Sequence, residues 1–263
     1  MKKTKAMKTR IIAGIYMGVH SIGAYNAKDL KAELTNCTIK NAKQESGLRV
    51  LPHDSHITLT NCTFENNDST YDGGAIYTET LNEPLIKDCT FKNNKANNGN
   101  GGAIAVDAPV VSGSKLKVIG GLFEGNVSTK MSKDPNFKTI DDLKKGAGGA
   151  ISCNNLTADG VTFKNNSSND QAGAIFIGPG MRYDLPLFKN SITNCTFEGN
   201  KAEHVGGAIR LFHIDSNNVI KNCKFTNNSG RGANVFVQYG HGLGDKLTKE
   251  WGNTGEGMYI VFK

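Results

Sequence analysis

The sequence of 263 residues has no long apolar run and contains little proline and tryptophan. A helix that crosses a bilayer needs about 20 consecutive apolar residues, so the sequence predicts no transmembrane helix. Only 6 Pro and 1 Trp occur, against 31 Gly and many Asn. Because Gly and Asn favour turns over helix interiors, this composition argues against a helical protein.

Positive charge is concentrated at the N-terminus. The formal net charge is +7, and residues 1–10 contribute five positive charges without an acid. They are Lys2, Lys3, Lys5, Lys8 and Arg10. A nucleic-acid-binding protein carries its basic residues over a face of the fold, so we predict no nucleic-acid partner. Residues 1–10 are interpreted as a basic tail or as the basic region of a secretion signal.

The segment after the basic region has two interpretations. Residues 11–15 resemble the apolar part of a secretion signal, although Tyr16 and His20 interrupt it. Alternatively, residues 14–17 already belong to the first unit of a repeat. The second interpretation is slightly favoured, and the two are not fully exclusive.

Two short patterns alternate along the chain. The first is Phe-x-x-Asn, with a degenerate copy at Ile39 and Ala42: Phe64 and Asn67, Phe91 and Asn94, Phe123 and Asn126, Phe163 and Asn166, Phe197 and Asn200, Phe225 and Asn228. The second is Gly-Gly-Ala-Ile, which begins at Gly73, Gly101, Gly148 and Gly206, with a near copy at residues 172–175. Self-similarity of this kind indicates a stacked repeat architecture.

The distance between successive Phe-type positions varies. The spacings are 25, 27, 32, 40, 34 and 28 residues. The shortest approach one coil of a β-helix, and the longer ones predict loops extruded from the stack. The expected loops are residues 127–146, 178–190 and 213–218.

Aligned copies indicate the role of each position. The residue three before each Phe-type position is always Asn, Asp or Gly: Asn36, Asn61, Asp88, Gly120, Gly160, Asn194 and Asn222. These residue types tolerate a left-handed backbone, which predicts a corner. Before it lies an extended, alternating segment such as residues 57–60, as expected of a half-buried strand.

Rows of residues with period two are predicted to point inward. The first row holds Cys37, Cys62, Cys89, Gly121, Val161, Cys195 and Cys223, and the second holds Ile39 and the six Phe residues of the repeat. A later short strand places pairs such as Ile76 and Thr78 inward, and residues 15 and 17 fit its register. Because one coil cannot bury these side chains, stacked coils must close the core. The sequence therefore predicts an all-β, right-handed parallel β-helix of about seven or eight coils, over residues 11–239, with a C-terminal cap over residues 240–263.

The alternation of six Phe-x-x-Asn with four Gly-Gly-Ala-Ile tetrapeptides, over about residues 34–237, resembles the polymorphic outer-membrane-protein repeat of chlamydial surface proteins and other adhesin-like proteins. This resemblance implies an extracellular β-helical passenger for adhesion or self-association. Few residues follow the last repeat, which departs from the full-length pattern. A fragment, a truncated paralogue and a product held at the surface by a partner are the interpretations left open.

The cysteine and asparagine rows have structural interpretations. Five of the 6 Cys share one repeat position, where Gly121 and Val161 replace them in other copies. A disulfide or metal site would not tolerate that exchange, so stacked, reduced core thiols are predicted, with no metal and no cofactor. The Asn row, from Asn67 to Asn228, is expected to form stacked amide hydrogen bonds rather than glycan acceptors.

An enzymatic role is considered because many β-helices cleave acidic polysaccharides. Asp141-Asp142 and Gly240-His241-Gly242 resemble fragments of polygalacturonase motifs, but they lie far apart and their partner motifs are absent. The six His show no metal-ligand spacing. The sequence therefore predicts no catalytic residues, and a polysaccharide-active enzyme remains the weaker alternative.

One outward row carries a candidate binding stripe. The position between the inward residues of the strand after the Gly-Gly corner reads Tyr16, Arg49, Tyr77, Ala105, Ser152, Phe176, Arg210 and Phe236. Aromatics and Arg dominate binding hot spots. The competing interpretation is ordinary surface aromatics partly covered by loops.

The function predicted is a cell-surface or secreted adhesin-like module that binds a protein or glycan of a host or neighbouring cell. A purely structural or self-associating passenger is the alternative.

Overall fold

The computed structural model describes residues 10–11, 15–17, 30–51, 53–107, 115–129, 146–178, 189–214, 218–240, 252–255 and 260–262. In these ranges every regular element is a β-strand, and the strands form four sheets, which we call A, B, C and D. All strand pairings within the four sheets are parallel.

Sheets A and B contain the Phe-x-x-Asn and Gly-Gly-Ala-Ile strands, respectively. Sheet A consists of β1 (Arg10–Ile11), β4 (Thr38–Lys40), β8 (Thr63–Glu65), β12 (Thr90–Lys92), β16 (Leu122–Glu124), β20 (Thr162–Lys164), β24 (Thr196–Glu198) and β28 (Lys224–Thr226). Sheet B consists of β2 (Ile15–Met17), β6 (Leu48–Val50), β10 (Ile76–Thr78), β14 (Ile104–Val106), β18 (Ile151–Cys153), β22 (Ile175–Ile177), β26 (Ile209–Ile214), β30 (Val235–Gly240) and β31 (Ile260–Phe262).

Sheets C and D connect them. Sheet C consists of β3 (Lys31–Thr35), β7 (His56–Thr60), β11 (Leu85–Lys87), β15 (Leu116–Ile119), β19 (Leu156–Asp159), β23 (Ser191–Thr193) and β27 (Val219–Lys221). Sheet D consists of β5 (Lys43–Gln44), β9 (Asp68–Ser69), β13 (Lys95–Ala96), β17 (Val127–Ser128), β21 (Ser167–Ser168), β25 (Lys201–Val205) and β29 (Ser229–Arg231).

Each coil passes through sheets C, A, D and B in turn, and the next coil repeats that order one rung higher. In-register pairs such as Phe64 with Phe91, and Ile76 with Ile104, join equivalent positions of neighbouring coils. Rungs of a parallel stack are about 4.8 Å apart. The predicted all-β parallel β-helix is therefore confirmed.

Left-handed residues turn the chain on both sides of sheet A. The predicted corner between sheets C and A is confirmed, because all seven of its residues have φ between 50° at Asn61 and 65° at Gly160. A second corner, between sheets A and D, was not predicted. It has φ between 52° and 64° and consists of Asn41, Asn66, Asn93, Gly125, Asn165, Gly199 and Asn227.

The Phe side chains of sheet A form one continuous stack in the core. Neighbouring ring centroids lie 4.5 to 5.1 Å apart with interplanar angles of 5° to 20°. All six rings are buried, and Ile39 extends the row beneath Phe64. The inward Ile, Leu and Val side chains of sheets B and C belong to the same hydrophobic core.

The row of Asn residues after the Phe stack is a buried amide ladder. Asn94 is typical, because its Nδ2 donates to Asn126 Oδ1 on the next rung at 2.9 Å and to the Phe64 carbonyl of the preceding rung at 3.0 Å. The backbone N–H of Asn94 donates to the same Oδ1 of Asn126 at 3.0 Å. The ladder therefore satisfies the turn backbone where sheet A meets sheet D, as buried polar groups require.

The last two amides of the predicted row, Asn200 and Asn228, lie in the same ladder. Asn200 Nδ2 donates to Asn228 Oδ1 at 2.9 Å and to Phe163 O at 3.0 Å. Asn228 is the last member of the predicted row. Its Nδ2 donates to Phe197 O at 3.0 Å and to Oδ1 of Asn234, six residues later, at 3.2 Å. Asn234 therefore takes the place of a further rung and closes the ladder at this end.

The cysteines are free and buried. Five thiols of the predicted row donate to the carbonyl two residues earlier, for example Cys89 to Lys87 at 3.2 Å and Cys195 to Thr193 at 3.1 Å. Cys153 lies in sheet B, where burial raises its pKa to about 12. For Cys153 this favours an inert thiol over a reactive thiolate, whereas the hydrogen bond with the Cys89 side chain lowers the pKa of Cys62 to about 6.

Some boundaries differ from the sequence-based expectation. Sheet D was missed, because its strands are mostly two residues long and small or charged, without alternation that a sequence pattern can show. The loop expected at residues 127–146 begins later, since Val127 pairs with Lys95 and Ser167 in sheet D. The loop expected at residues 213–218 also begins later, because β26 extends to Ile214 beside β30. Most of these two loops, and of the expected loop at residues 178–190, lies outside the described residues.

The ends of the stack involve both termini. Ile15 pairs with Leu48 and Met17 with Val50, the register that an early coil requires. At the other end, Phe236 pairs with Ile260. Thr254 lies on β28, where its N–H donates to Cys223 O at 2.9 Å and its carbonyl accepts from the N–H of Phe225 at 2.8 Å. Trp251, Met258 and Tyr259 of the expected cap lie outside the described residues, as do residues 1–9 of the basic tail.

Replacing Phe163 with Ala is expected to lower the free energy of unfolding by about 3–5 kcal/mol, because the ring contacts both Phe123 and Phe197 in the stack. Thr162→Ala is the matched control, since Thr162 lies in the same strand and is partly exposed. Its cost should stay below about 0.5 kcal/mol. Urea denaturation followed by circular dichroism measures both, and similar losses for the two variants would contradict the stacked core.

Candidate functional site

The outward positions of sheet B form one row that crosses eight strands in register. We call this row the sheet B stripe: Tyr16, Arg49, Tyr77, Ala105, Ser152, Phe176, Arg210 and Phe236. The register predicted from the sequence is therefore present. Tyr16 is placed in the row by the backbone pairing of β2 with β6.

At one end of the stripe, Arg49 stacks on Tyr77. The Arg49 guanidinium carbon lies 4.7 Å from the centroid of the Tyr77 ring, within the range of a cation–π contact. Arg49 is also held by Glu45, whose carboxylate lies 2.9 Å from its Nη1. The Tyr77 hydroxyl donates to Glu79 Oε1 at 2.7 Å. Burial, followed by this bond to the Glu79 carboxylate, raises the pKa of Tyr77 well above its ordinary value of 10.0.

At the other end, Arg210 lies between two aromatic rings. Its guanidinium carbon is 5.7 Å from the Phe176 centroid and 5.6 Å from the Phe236 centroid. Burial lowers the pKa of Arg210 to about 10, an effect that the Asp170 carboxylate opposes. The guanidinium therefore remains charged at neutral pH. Asp170 also accepts a contact at 2.7 Å from Nδ1 of the exposed His204.

The stripe is less exposed than predicted. Tyr77 is 8%, Phe236 6% and Arg210 5% exposed, so the expectation that these three side chains face solvent is wrong. The pleat of the strands makes the side chains of Tyr77, Arg210 and Phe236 point out of the sheet, but other parts of the chain cover them. Among the stripe members whose side chains are described, Arg49, Ser152 and Phe176 are partly exposed and within reach of a ligand.

Sheet A carries a second ordered surface that was not identified from the sequence. Thr226 follows the seventh Phe-type position, whereas the residue after each of the first six points outward and alternates in sign from rung to rung: Lys40, Glu65, Lys92, Glu124, Lys164 and Glu198. We call this row the sheet A charge row. Lys92 and Glu124 lie 3.3 Å apart, and Lys164 and Glu198 lie 3.2 Å apart. The alternation of Lys and Glu is visible in the sequence when the residues that follow the repeat Phe positions are aligned. Alternating signs keep like charges from lying opposite each other on adjacent strands.

The remaining sequence-based candidates contribute little to a site. Among the described residues, no group of three or more His, Cys, Asp or Glu side chains is arranged to hold a metal ion. Asp141, Asp142, His241 and Gly242 lie outside the described residues, and Gly240 ends β30. The described part of the chain also contains no helix with the length and apolar character of a membrane span.

Comparison with known proteins supports the β-helix architecture, without confirming the polymorphic outer-membrane-protein type of repeat. The family model for the right-handed β-helix region matches residues 11–241. A curated relative, the metabotropic glutamate receptor-like protein R of Dictyostelium discoideum, is 26% identical over 231 residues, which are 85% of this chain and 12% of that protein. The chain thus spans a small part of that relative. No solved structure shows a significant match.

Tyr77 is expected to make stability fall at alkaline pH. Its folded-state pKa is raised, so above pH 10.0 the unfolded phenol releases its proton while the folded one keeps it. The free energy of unfolding should therefore decrease as pH rises past this value, by up to about 1.4 kcal/mol per pH unit. In Tyr77→Phe this contribution is absent.

The measurement is urea denaturation of the wild type and Tyr77→Phe at several pH values on both sides of 10.0. Tyr71→Phe serves as the control, because the Tyr71 side chain is 58% exposed. Parallel stability curves for the wild type and Tyr77→Phe would contradict the buried hydrogen bond.

Proposed function

The chain belongs to the right-handed β-helix family, and on that premise we propose that it is a non-catalytic binding module of the cell surface or of the secreted fraction. The observation that carries this proposal is the pair of Arg–aromatic stacks on the outer face of sheet B. The inward side chains of the sheets are committed to the core and the amide ladder. Recognition therefore falls to outward-facing residues.

The stripe has the chemistry of a recognition surface. Arg49 offers guanidinium donors, and Phe176 offers a flat ring on which a sugar or a peptide group can stack. Both are held by buried neighbours, Arg49 by Tyr77 and Phe176 by Arg210. Side chains that are fixed before binding lose less conformational entropy when a ligand is bound. The partner proposed is a glycan or protein on a host or neighbouring cell.

The receptor-like name of the Dictyostelium relative supports a surface location. The region that resembles this chain makes up 12% of that protein, so the matching region is one segment of a much larger molecule. A β-helical segment that presents a binding face is consistent with the adhesin-like repeat that the sequence resembles.

Self-association is the second candidate function, and the sheet A charge row favours it. If a second copy packs face to face with its axis reversed, Lys40 opposes Glu198, Glu65 opposes Lys164 and Lys92 opposes Glu124. Each of the six charged rungs of the row then meets the opposite charge. Because such pairs are exposed and screened by salt, this association would weaken at high ionic strength.

A glycan array and a cell-binding assay with the purified chain test the binding function. Once a ligand is found, the double variant Arg49→Ala, Phe176→Ala should weaken binding by roughly 10-fold or more, because each truncation removes about 1 kcal/mol or more at a hot spot. The matched control is Thr90→Ala, Lys92→Ala in sheet A, which should bind like the wild type.

Equal affinities of the stripe variant and the wild type, with circular dichroism showing that both are folded, would contradict the proposal. Sedimentation at low and high salt measures self-association in the same samples. A chain that binds only itself, with loss of the complex in high salt and in the sheet A variant, would favour the second function.

A further inference from the structure

The chain contains nine Asn-x-Ser/Thr tripeptides, the acceptor signal for N-linked glycans. The fold separates them into two groups. Four have a buried Asn: Asn67, Asn126, Asn155 and Asn166. Five have an Asn at the left-handed corners beside sheet A: Asn36, Asn61, Asn165, Asn194 and Asn227. The tripeptide by itself does not distinguish the two groups.

The amides of the buried ladder have no N–H group to spare. Asn67 Nδ2 donates to Ile39 O at 3.1 Å and to Asn94 Oδ1 at 2.9 Å, so both of its hydrogens are used. Asn126 and Asn166 make the same two bonds. A sugar on Nδ2 would remove one bond and would need space inside the core, where these side chains are 0% exposed. A chain glycosylated at these positions could not complete the ladder.

The corner amides are different, because four of them are exposed: Asn61, Asn165, Asn194 and Asn227. Asn61 Nδ2 donates to Asn36 Oδ1 at 2.6 Å, and Asn194 Nδ2 donates to Asp159 Oδ1 at 2.7 Å. Each of these bonds uses one of the two hydrogens on Nδ2. An N-glycosylated amide keeps one N–H, so the corner bond and the glycan are compatible.

Glycines lie on rungs next to these corner amides, and the space beside them differs between the two edges of sheet A. A Cβ placed on Gly160, one rung before Asn194, would meet nothing within 4 Å. On the rung between Asn165 and Asn227, a Cβ on Gly199 would meet Oδ1 of Asn165, so the glycine makes space for the Asn165 amide itself. Asn36 is only partly exposed and lies one rung from Asn61, and it is therefore left out of the set.

We propose that Asn61, Asn165, Asn194 and Asn227 are acceptor sites for N-linked oligosaccharides. The donor is a polyprenyl-pyrophosphate-linked oligosaccharide, and the enzyme is an oligosaccharyltransferase. A bond forms between Nδ2 and C1 of the first sugar, the bond from C1 to the pyrophosphate oxygen breaks, and the Nδ2 proton passes to a base of the enzyme. This assignment rests on the surface or secreted location in the proposed function.

The placement of the four sites has a consequence for binding. All lie along the two edges of sheet A, whereas the stripe lies on sheet B, which each coil reaches only after passing through sheet D. Glycans at the corners would shield the sheet A charge row and leave the stripe accessible. They would thus oppose face-to-face association through sheet A without blocking recognition through sheet B.

The test is secretion of the full chain from a eukaryotic cell line behind a secretion signal. Peptide mapping of the secreted, folded protein after peptide N-glycosidase marks each occupied site, because the enzyme converts the released asparagine to aspartate. The expected result is glycan at Asn61, Asn165, Asn194 and Asn227. None is expected at Asn67, Asn126, Asn155 or Asn166.

Threonine variants remove single sites without changing the corner residue. Thr196→Ala should abolish the glycan at Asn194. Thr90→Ala is the matched control, because it lies in the same outward row of sheet A but follows Asp88 rather than an asparagine. It should leave all four glycans in place.

A gain-of-site variant tests the geometry directly. Asp88→Asn completes an acceptor tripeptide at a corner equivalent to that of Asn61, one rung further along the stack, so the secreted protein should acquire one additional glycan. A secreted, folded chain without glycan at the four corners, or with glycan on a ladder asparagine, would overturn the assignment. Ligand binding is measured on unglycosylated protein from bacteria, so failure of the binding function is recognised separately.

Discussion

Repetition of the same side chain at the same inward position on successive rungs is the constraint on which the rest of this structure depends. The Phe rings stack at 4.5 to 5.1 Å, close to the spacing that parallel strands impose on their side chains. The Asn amides need the same register to pass hydrogen bonds from rung to rung. A slip of one residue would break the stack and the ladder together. Left-handed corners on both sides of sheet A hold that register in each coil.

This constraint explains which parts of a coil vary in length. From the first corner to the Phe position, and from there to the Asn position, every coil uses the same number of residues, because sheet A and its corners carry both the stack and the ladder. The long spacings between repeats come from segments that enter or leave sheet B. The outward residues of sheet A therefore form regular rows, including the charge row, whereas the strands of sheet B are the ones that the longer connections join in the sequence.

The two outer faces consequently suit different roles. Sheet B presents Arg–aromatic stacks whose buried members hold Arg49 and Phe176 in place, which suits recognition of a separate molecule. Sheet A presents alternating charge, bordered by exposed corner asparagines, which suits either pairing with a second copy or shielding by glycans. Because these two uses of sheet A exclude each other, the glycosylation state of the corners would decide between a self-associating passenger and a dispersed binding module.

Much of the architecture could be read from the sequence, because it follows from local preferences repeated many times. Residue type predicts the corner of Asn, Asp or Gly before each Phe. A period of two predicts the inward Cys and Phe rows and the register of Tyr77 beside Arg49. Sheet D and the second corner were not predicted from the sequence, because strands of two residues show too little alternation of apolar and polar residues to be detected. Only the tertiary structure decided the burial of Tyr77, Arg210 and Phe236, the meeting of Asp170 with His204, and which Asn-x-Ser/Thr tripeptides are exposed. Exposure and contact depend on segments that are distant in sequence and brought together by stacking, and no local pattern records them.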